Sequence, residues 1–374
     1  MSDGCLEAGG GGAGAGLASR VGGGGEEGAG AGTGATLAPA QPSATIQRAA
    51  TRWDWRTGWI IGSDMPVLFV FVDGVGVGAR DPEVNPLARG EFLLGQFADG
   101  SGVGLPRAGR AARADACLGV PGRPQSATGQ TTLLTGENAP RAIGRHLLGF
   151  PNARLRELLL RHSIFRALAQ SGRSGTFANA YPVAYLRAIG FDCEGEPEFS
   201  LEKRRLRPSA TTVAFSAGPA RFRTWADARR GLGLTPDITA ARAFRMGAGI
   251  PRRSPAQAAD ILLGLSEKHD LTLFEFFESD EAGHARSMEQ ALETLGRLDA
   301  FLRELVTGLP DGWSLLVASD HGNVEDLSSR NHTLGQVPIL GFGEAAARVD
   351  SVKDLTGVAP LLLDLAGARV GVNP

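Results

Sequence analysis

The sequence predicts an α/β fold: a mostly parallel sheet with helices on both faces. Three observations lead there. From residue 67 onward, short apolar runs alternate with stretches of helical period, the rhythm of strand and helix units in layered α/β proteins. The runs are apolar at successive positions rather than alternate ones, as strands covered on both faces are. Aspartates and histidines follow several of these runs closely, where an open α/β sheet presents ligands beyond the carboxyl ends of its strands.

Val67–Val72 is the first such run and reads as a buried strand. Leu155–Ser171 is predicted to be one helix, with Leu158, Leu159, Phe165 and Leu168 on a single stripe and Gly172 and Gly175 punctuating its end. Thr176–Asn179 reads as a strand, Pro255–Lys268 as a helix and Leu271–Phe277 as the next strand. Met288–Val306 is an amphipathic helix whose predicted core face is Leu292, Leu295, Leu298, Leu302 and Leu305. Trp313–Ser319 and Val337–Phe342 are further buried strands. Asp354–Leu365 is the closing helix, compatible with Pro360 only in its first turn or at a kink.

Two stretches break this rhythm. Residues 181–254 are rich in Arg, Pro and Gly and weak in periodicity, and are expected to form an inserted cap subdomain between core segments 65–180 and 255–374. Residues 1–60 are expected to be a disordered tail: 15 of the first 40 residues are Gly, and such a stretch buries too little apolar surface to offset its ordering entropy. The tail reads either as a flexible tether or as sequence upstream of a working start at Met65.

The formal net charge of −2 over 374 residues argues against nucleic acid or an anionic membrane as the main partner. Cys5, Cys117 and Cys193 are too scattered for a disulfide framework or a thiolate zinc site, and point to the reducing cytoplasm. No apolar run reaches the roughly 18–20 residues that span a bilayer. The basic residues are almost all Arg, so any single Arg carries little information.

The chemistry gathers at strand ends. Asp73 follows Val67–Val72 directly, Asp280 follows Leu271–Phe277 after a short polar step, and Asp320-His321 follows Trp313–Ser319. Three carboxylates converging on one sheet edge repel unless a cation sits among them. Asp280 and His284, four apart, face the same way on one helical turn, as two ligands of one ion must. Asn331-His332-Thr333 supplies another imidazole. Mixed carboxylate and imidazole ligands suit Mn²⁺, Zn²⁺ or Mg²⁺. A nucleophile is expected in the hydroxyl-rich segment from Gln125 through Thr132, which opens a helix whose N-terminus favours a phosphate. His146, His162 and His269 read as structural, and Asn85 as a loop residue with a possible substrate contact.

The set Asp73-Gly74-Val75-Gly76, Ser126-x-x-Gly129, Asp280-x-x-Gly283-His284, Asp320-His321-Gly322-Asn323 and His332-Thr333-x3-Val337-Pro338 resembles the alkaline phosphatase superfamily. The match is closest to the metalloenzyme branch that holds cofactor-independent phosphoglycerate mutase and phosphopentomutase. The resemblance implies two divalent cations, Mn²⁺ before Zn²⁺ or Mg²⁺. One would be held by Asp280, His284 and His332, the other by Asp73, Ser126, Asp320 and His321. It also implies a phosphoserine on Ser126, with Thr128 the fallback, and a phosphorylated small-molecule substrate. Gln130 stands where those mutases usually carry a His, and Gln130, Arg145 and Arg286 are candidate substrate contacts. A phosphomutase is expected, with a phosphohydrolase or phosphodiesterase and a metal-binding scaffold without turnover as alternatives.

Overall fold

The computed structural model describes residues 65–199 and 206–368. The Gly-rich tail lies outside the described residues, as does Cys5. The strands are β1 Val67–Val72, β2 Arg110–Ala114, β3 Gly175–Phe177, β4 Ala180–Tyr181, β5 Arg223–Thr224, β6 Leu271–Phe276, β7 Ser314–Ser319 and β8 Val337–Gly343. The helices are α1 Ser126–Thr135, α2 Ala139–Ile143, α3 Ala153–His162, α4 Ile164–Gln170, α5 Val183–Ala188 and α6 Ala210–Ser216. They continue with α7 Trp225–Arg229, α8 Ala241–Arg245, α9 Pro255–Ser266, α10 Glu278–Ala285, α11 Met288–Gly308 and α12 Val358–Leu365.

Six strands form one sheet in the order β2-β8-β7-β1-β6-β3. β1 pairs in parallel with β6 and β7, and β3 in parallel with β6. Only β8 runs against its neighbours, antiparallel to both β7 and β2. The α/β expectation is met. β1, β6 and β7 are buried at every position, which explains their continuous apolar runs. Val67, Phe69 and Phe71 face one core with residues of α1, α3, α4, α6 and α12; Leu68, Val70 and Val72 face another with residues of α9 and α11. Among the described residues no helix is long and apolar enough to cross a membrane.

Several local readings need correction. Leu155–Ser171 is two helices, because Ser163 adopts an extended conformation (ψ 149°) between α3 and α4. Its hydroxyl accepts from Arg166 N and donates to Ala214 O on α6, so one side chain both caps α4 and docks it. In α11 the core face runs through Ala291, Thr294, Leu295, Leu298, Phe301, Leu302 and Leu305, with Leu292 at its border. The edge strand β2, with sequence RAARA, carries no strand signal. Pro360 is the third residue of α12, in the first turn.

The described part of 181–254 divides in two. α5 and α6 contribute Tyr185, Leu186, Ala210, Val213 and Phe215 to the core on the α1 face of the sheet. The later part gathers Trp225, Ala228, Ala240, Ala243, Ala248 and Ile250 with Ala180 into a small cluster of its own. Cys117 and Cys193 are free thiols.

Candidate metal centre

Three adjacent parallel strands deliver three aspartates to one edge. Asp73 continues the β1 ladder, its amide donating to Phe276 O at 2.9 Å. Gly74 then turns the chain at φ 74°, and a Cβ there would lie 2.7 Å from the Asp280 side chain. Only glycine allows both the left-handed turn and this approach. The next amides are stitched to the loop after β7: Val75 N to Ser319 Oγ at 2.9 Å and Gly76 N to Glu325 Oε2 at 2.8 Å. Asp280 is the third residue of α10. Asn323 Nδ2 donates to its Oδ1 at 2.6 Å, and Ser279 Oγ beside it donates to Asp73 O at 2.5 Å.

α1 is buried along nearly its whole length despite its hydroxyls. Thr131 and Thr132 donate to the carbonyls four residues back, at 2.6 and 2.9 Å, which satisfies them inside the helix. A Cβ on Gly129 would lie 2.8 Å from Asp320 O, so this glycine lets α1 press against the Asp320 loop. Ser126 is the first residue of α1, Gln125 occupying the cap position, and its Oγ lies 3.0 Å from His321 Nε2.

The ligand atoms converge. His321 Nε2 lies 3.1 Å from Asp73 Oδ1 and 3.5 Å from Asp320 Oδ2. His284 Nε2 lies 3.3 Å from Asp280 Oδ2 and 3.3 Å from His332 Nε2, and His332 Nε2 lies 3.5 Å from Asp280 Oδ1. The His321 and His332 rings stack at 3.8 Å, so His321 stands between the two groups. Asp73, Asp320 and His321, and likewise Asp280, His321 and His332, bring their ligand atoms within 4.8 Å of one another. All but the half-buried His284 are buried, with Asp320 and His321 at 0% exposure.

The electrostatics fit divalent cations. Burial, then the charge of Asp280 and of Glu275, pushes the Asp73 carboxyl well above the usual range. Burial and Asp73 do the same to Asp320. Burial opposes charge on Asp280 too, but its hydrogen bond to His284 and the nearby His321 and His332 outweigh it and hold the carboxyl below the usual range. Burial and His321 push His332 down to about 4, while the hydrogen bond to Asp280 raises His284. Asp73 Oδ1 and Asp320 Oδ2 are buried and accept no hydrogen bond. Buried anionic oxygens without donors, beside imidazole nitrogens, form a donor set for hard to borderline divalent ions.

The other candidates are engaged differently. Thr128 Oγ1 is buried, donating to Gln125 O and accepting from Leu147 N. Gln130 Nε2 donates to Asp73 Oδ2 at 3.1 Å, fixing the carboxylate oxygen that does not face His321. Arg145 is exposed at the end of α2. Arg286 donates to Leu327 O and Ser328 O at 2.9 and 3.1 Å. Asn85 caps a turn of 3-10 helix. His146 lies 3.2 Å from Val120 O, His162 lies 3.6 Å from Glu137 Oε1, and His269 is half-buried at the turn between α9 and β6.

Sequence reasoning missed Glu325 and Arg123, and gave no role to Asn323 although it stands in the Asp320-His321-Gly322-Asn323 motif. Glu325 is buried and accepts from Gly76 N, Asn323 N and Thr333 Oγ1, folding the β7–β8 connection on itself and tying it to the loop after β1. Asn323 holds Asp280. Arg123 Nη1 donates to His332 O at 2.8 Å. The available signal was proximity in sequence: Glu325 and Asn323 lie within five residues of Asp320, and Arg123 three before Ser126.

Residues 251–369, about a third of the chain, match the family model of the Metalloenzyme superfamily. Over 128 residues the chain is 33% identical to 2,3-bisphosphoglycerate-independent phosphoglycerate mutase of Desulforudis audaxviator, covering 31% of this chain and 25% of that protein. The same-named protein of Sulfurimonas denitrificans is 28% identical over 128 residues, covering 32% and 26%. The matched stretch thus spans about a quarter of the length of these curated relatives. Thermus thermophilus alkaline phosphatase aligns at 14% identity and a TM-score of 0.48, over 87% of this chain and 96% of that one. The family resemblance read from the motifs is met by the superfamily match.

Proposed function

We propose, from the match of residues 251–369 to the Metalloenzyme superfamily, that the chain is a two-metal phosphoryl-transfer enzyme of the phosphomutase type. Its substrate is a phosphorylated small metabolite and its nucleophile is Ser126. The observation that carries this reading is the gathering of Asp73, Asp280, Asp320, His284, His321 and His332 beside the Ser126 hydroxyl. The mutase type is favoured by the names of the curated relatives.

Asp280, His284 and His332 would hold one cation; Asp73, Asp320, His321 and the Ser126 hydroxyl would hold the other. Bound cations lower the pKa of a coordinated hydroxyl and neutralise phosphate oxygens. The chain's own contribution is placement. α1 makes its first internal hydrogen bond from Gly129 N to Gln125 O at 2.8 Å, so the amides ahead of it have no partner within the helix. With the positive end of the helix they suit a phosphoryl oxygen. Gln130 and Asn323 keep Asp73 and Asp280 oriented. Ser126 Oγ gives up its proton and bonds to phosphorus as the bond to the ester oxygen breaks and that oxygen takes a proton; a second substrate hydroxyl then loses its proton, bonds to the phosphorus and releases Ser126 as the free hydroxyl.

The test is reconstitution with Mn²⁺, Zn²⁺ or Mg²⁺ and a panel of sugar phosphates and phosphoglycerates. The expected product is an isomerised ester with no free phosphate. Released phosphate would mark a hydrolase, and no turnover with any metal would end the enzymatic reading. Ser126→Ala is expected to abolish covalent labelling from a ³²P-labelled substrate; labelling that persists would move the nucleophile elsewhere.

A further inference from the structure

The helix that carries Asp280 and His284 is tied to the rest of the molecule at its first residue. Glu278 opens α10 and is 6% exposed, yet its carboxylate is not a member of the metal centre. Two guanidiniums meet it there. Arg297 of α11 pairs with Oε2, and Arg242 Nε lies 2.9 Å from Oε1. Arg242 reaches along α10 to Glu281 as well, flanking Asp280 on both sides in sequence. Its backbone amide donates to Asp237 Oδ2 at 2.9 Å, and α8 around it packs through Ala243 with Trp225, Ala228 and Ile250. The other ties on this turn, Ser279 to Asp73 and Asn323 to Asp280, come from core loops. Among the described residues, Arg242 is the tie that comes from the 181–254 segment.

We propose that Arg242 is a positioning residue for the cation site of Asp280, His284 and His332, coupling that site to the seating of residues 181–254. The proposal rests on the two-metal reading above. The physical reason is asymmetric burial. The Arg242 side chain is 42% exposed, but its partner Glu278 is 8% exposed, so losing Arg242 leaves a desolvated carboxylate with one counter-charge, and α10 must shift to rehydrate it. Asp280 and His284 lie two and six residues along the same short helix and move with it. Groups that orient metal ligands typically change metal affinity by about 10–100-fold when removed.

The experiment is calorimetric titration of the metal-free full chain with Mn²⁺ or Zn²⁺ alone. Wild type is expected to show two binding steps. Arg242→Met is expected to weaken one step by about tenfold or more, leaving the other unchanged, with Arg242→Lys restoring part of the loss. Because coupling is reciprocal, metal added to wild type is also expected to slow hydrogen exchange of the amides in Ala241–Arg245, a measurement that needs no variant. Equal weakening of both steps, no weakening of either, or exchange at Ala241–Arg245 indifferent to metal would each overturn the proposal. A wild-type protein that binds no divalent metal would instead overturn the two-metal reading.

Discussion

The two halves of the proposed metal centre are built by different means. The half around Asp73, Asp320 and His321 is made of loop residues locked at the backbone: Gly129 against the Asp320 carbonyl, and amides of residues 74–76 bonded across to residues 319–325. The half around Asp280, His284 and His332 takes two of its three side chains from one eight-residue helix held largely by side chains, and its His284 is only half-buried. Backbone-locked ligands have nowhere to go, whereas side-chain-tethered ligands can relax. Loss of a ligand is therefore predicted to be catastrophic in the first half and graded in the second.

The largest expected effect breaks the locked half. Asp320→Asn keeps the shape of a fully buried residue but removes an anionic ligand, and is expected to lower kcat by at least about 10³-fold, the several kcal/mol that metal stabilisation supplies. His284→Ala, in the tethered half, is expected to lose at least the roughly 10–100-fold in metal affinity that removal of a ligand's supporting partner costs, and to recover turnover at high metal concentration. Equal, unrecoverable losses in the two variants would erase the distinction.

A smaller effect comes from Glu275, on the sheet face toward α6. Burial pushes its carboxyl up from 4.5 to about 7, and its charge adds to the pressure on Asp73. The raised value means the folded chain binds this proton more tightly than the unfolded chain. Its contribution is fully present below about pH 4.5 and is lost as pH rises through 7, on the order of 3 kcal/mol in all. Glu275→Gln is therefore expected to raise Tm at pH 8 and to leave it nearly unchanged at pH 4. A variant no more stable than wild type at pH 8 would show that Glu275 is already compensated.

The same contrast explains what was legible in the sequence. β1, β6 and β7 were, because burial on both faces demands six consecutive residues with almost no charge, and the aspartates beyond them break that run abruptly. The ligand types were legible because few histidines exist to choose from. Features decided by a distant neighbour were not. Ser163 splits a helix because its hydroxyl reaches Ala214, 51 positions away. Gln130 turns toward Asp73, and Glu325 ties its own loop to the one after β1, through contacts that no local pattern encodes. The short elements of 181–254 fall below the length at which a period can be read, so their division between two hydrophobic clusters was invisible.

The finest test uses two helical glycines. Gly129→Ala would place its Cβ 2.8 Å from Asp320 O, a backbone atom that cannot swing aside. Overpacking of this kind costs about 1–3 kcal/mol, and here the strain falls on the loop that presents Asp320 and His321. A lowered Tm with selective weakening of one metal-binding step is expected. Gly296 lies inside α11 with nothing within 4 Å of its would-be Cβ. There the same substitution only restricts the unfolded chain and improves helix propensity, so Gly296→Ala is expected to stabilise by about 0.4–1 kcal/mol and to leave both metal steps alone. If both variants raised Tm alike, the Gly129 contact would have room to give, and the locked half would be no more rigid than the tethered one.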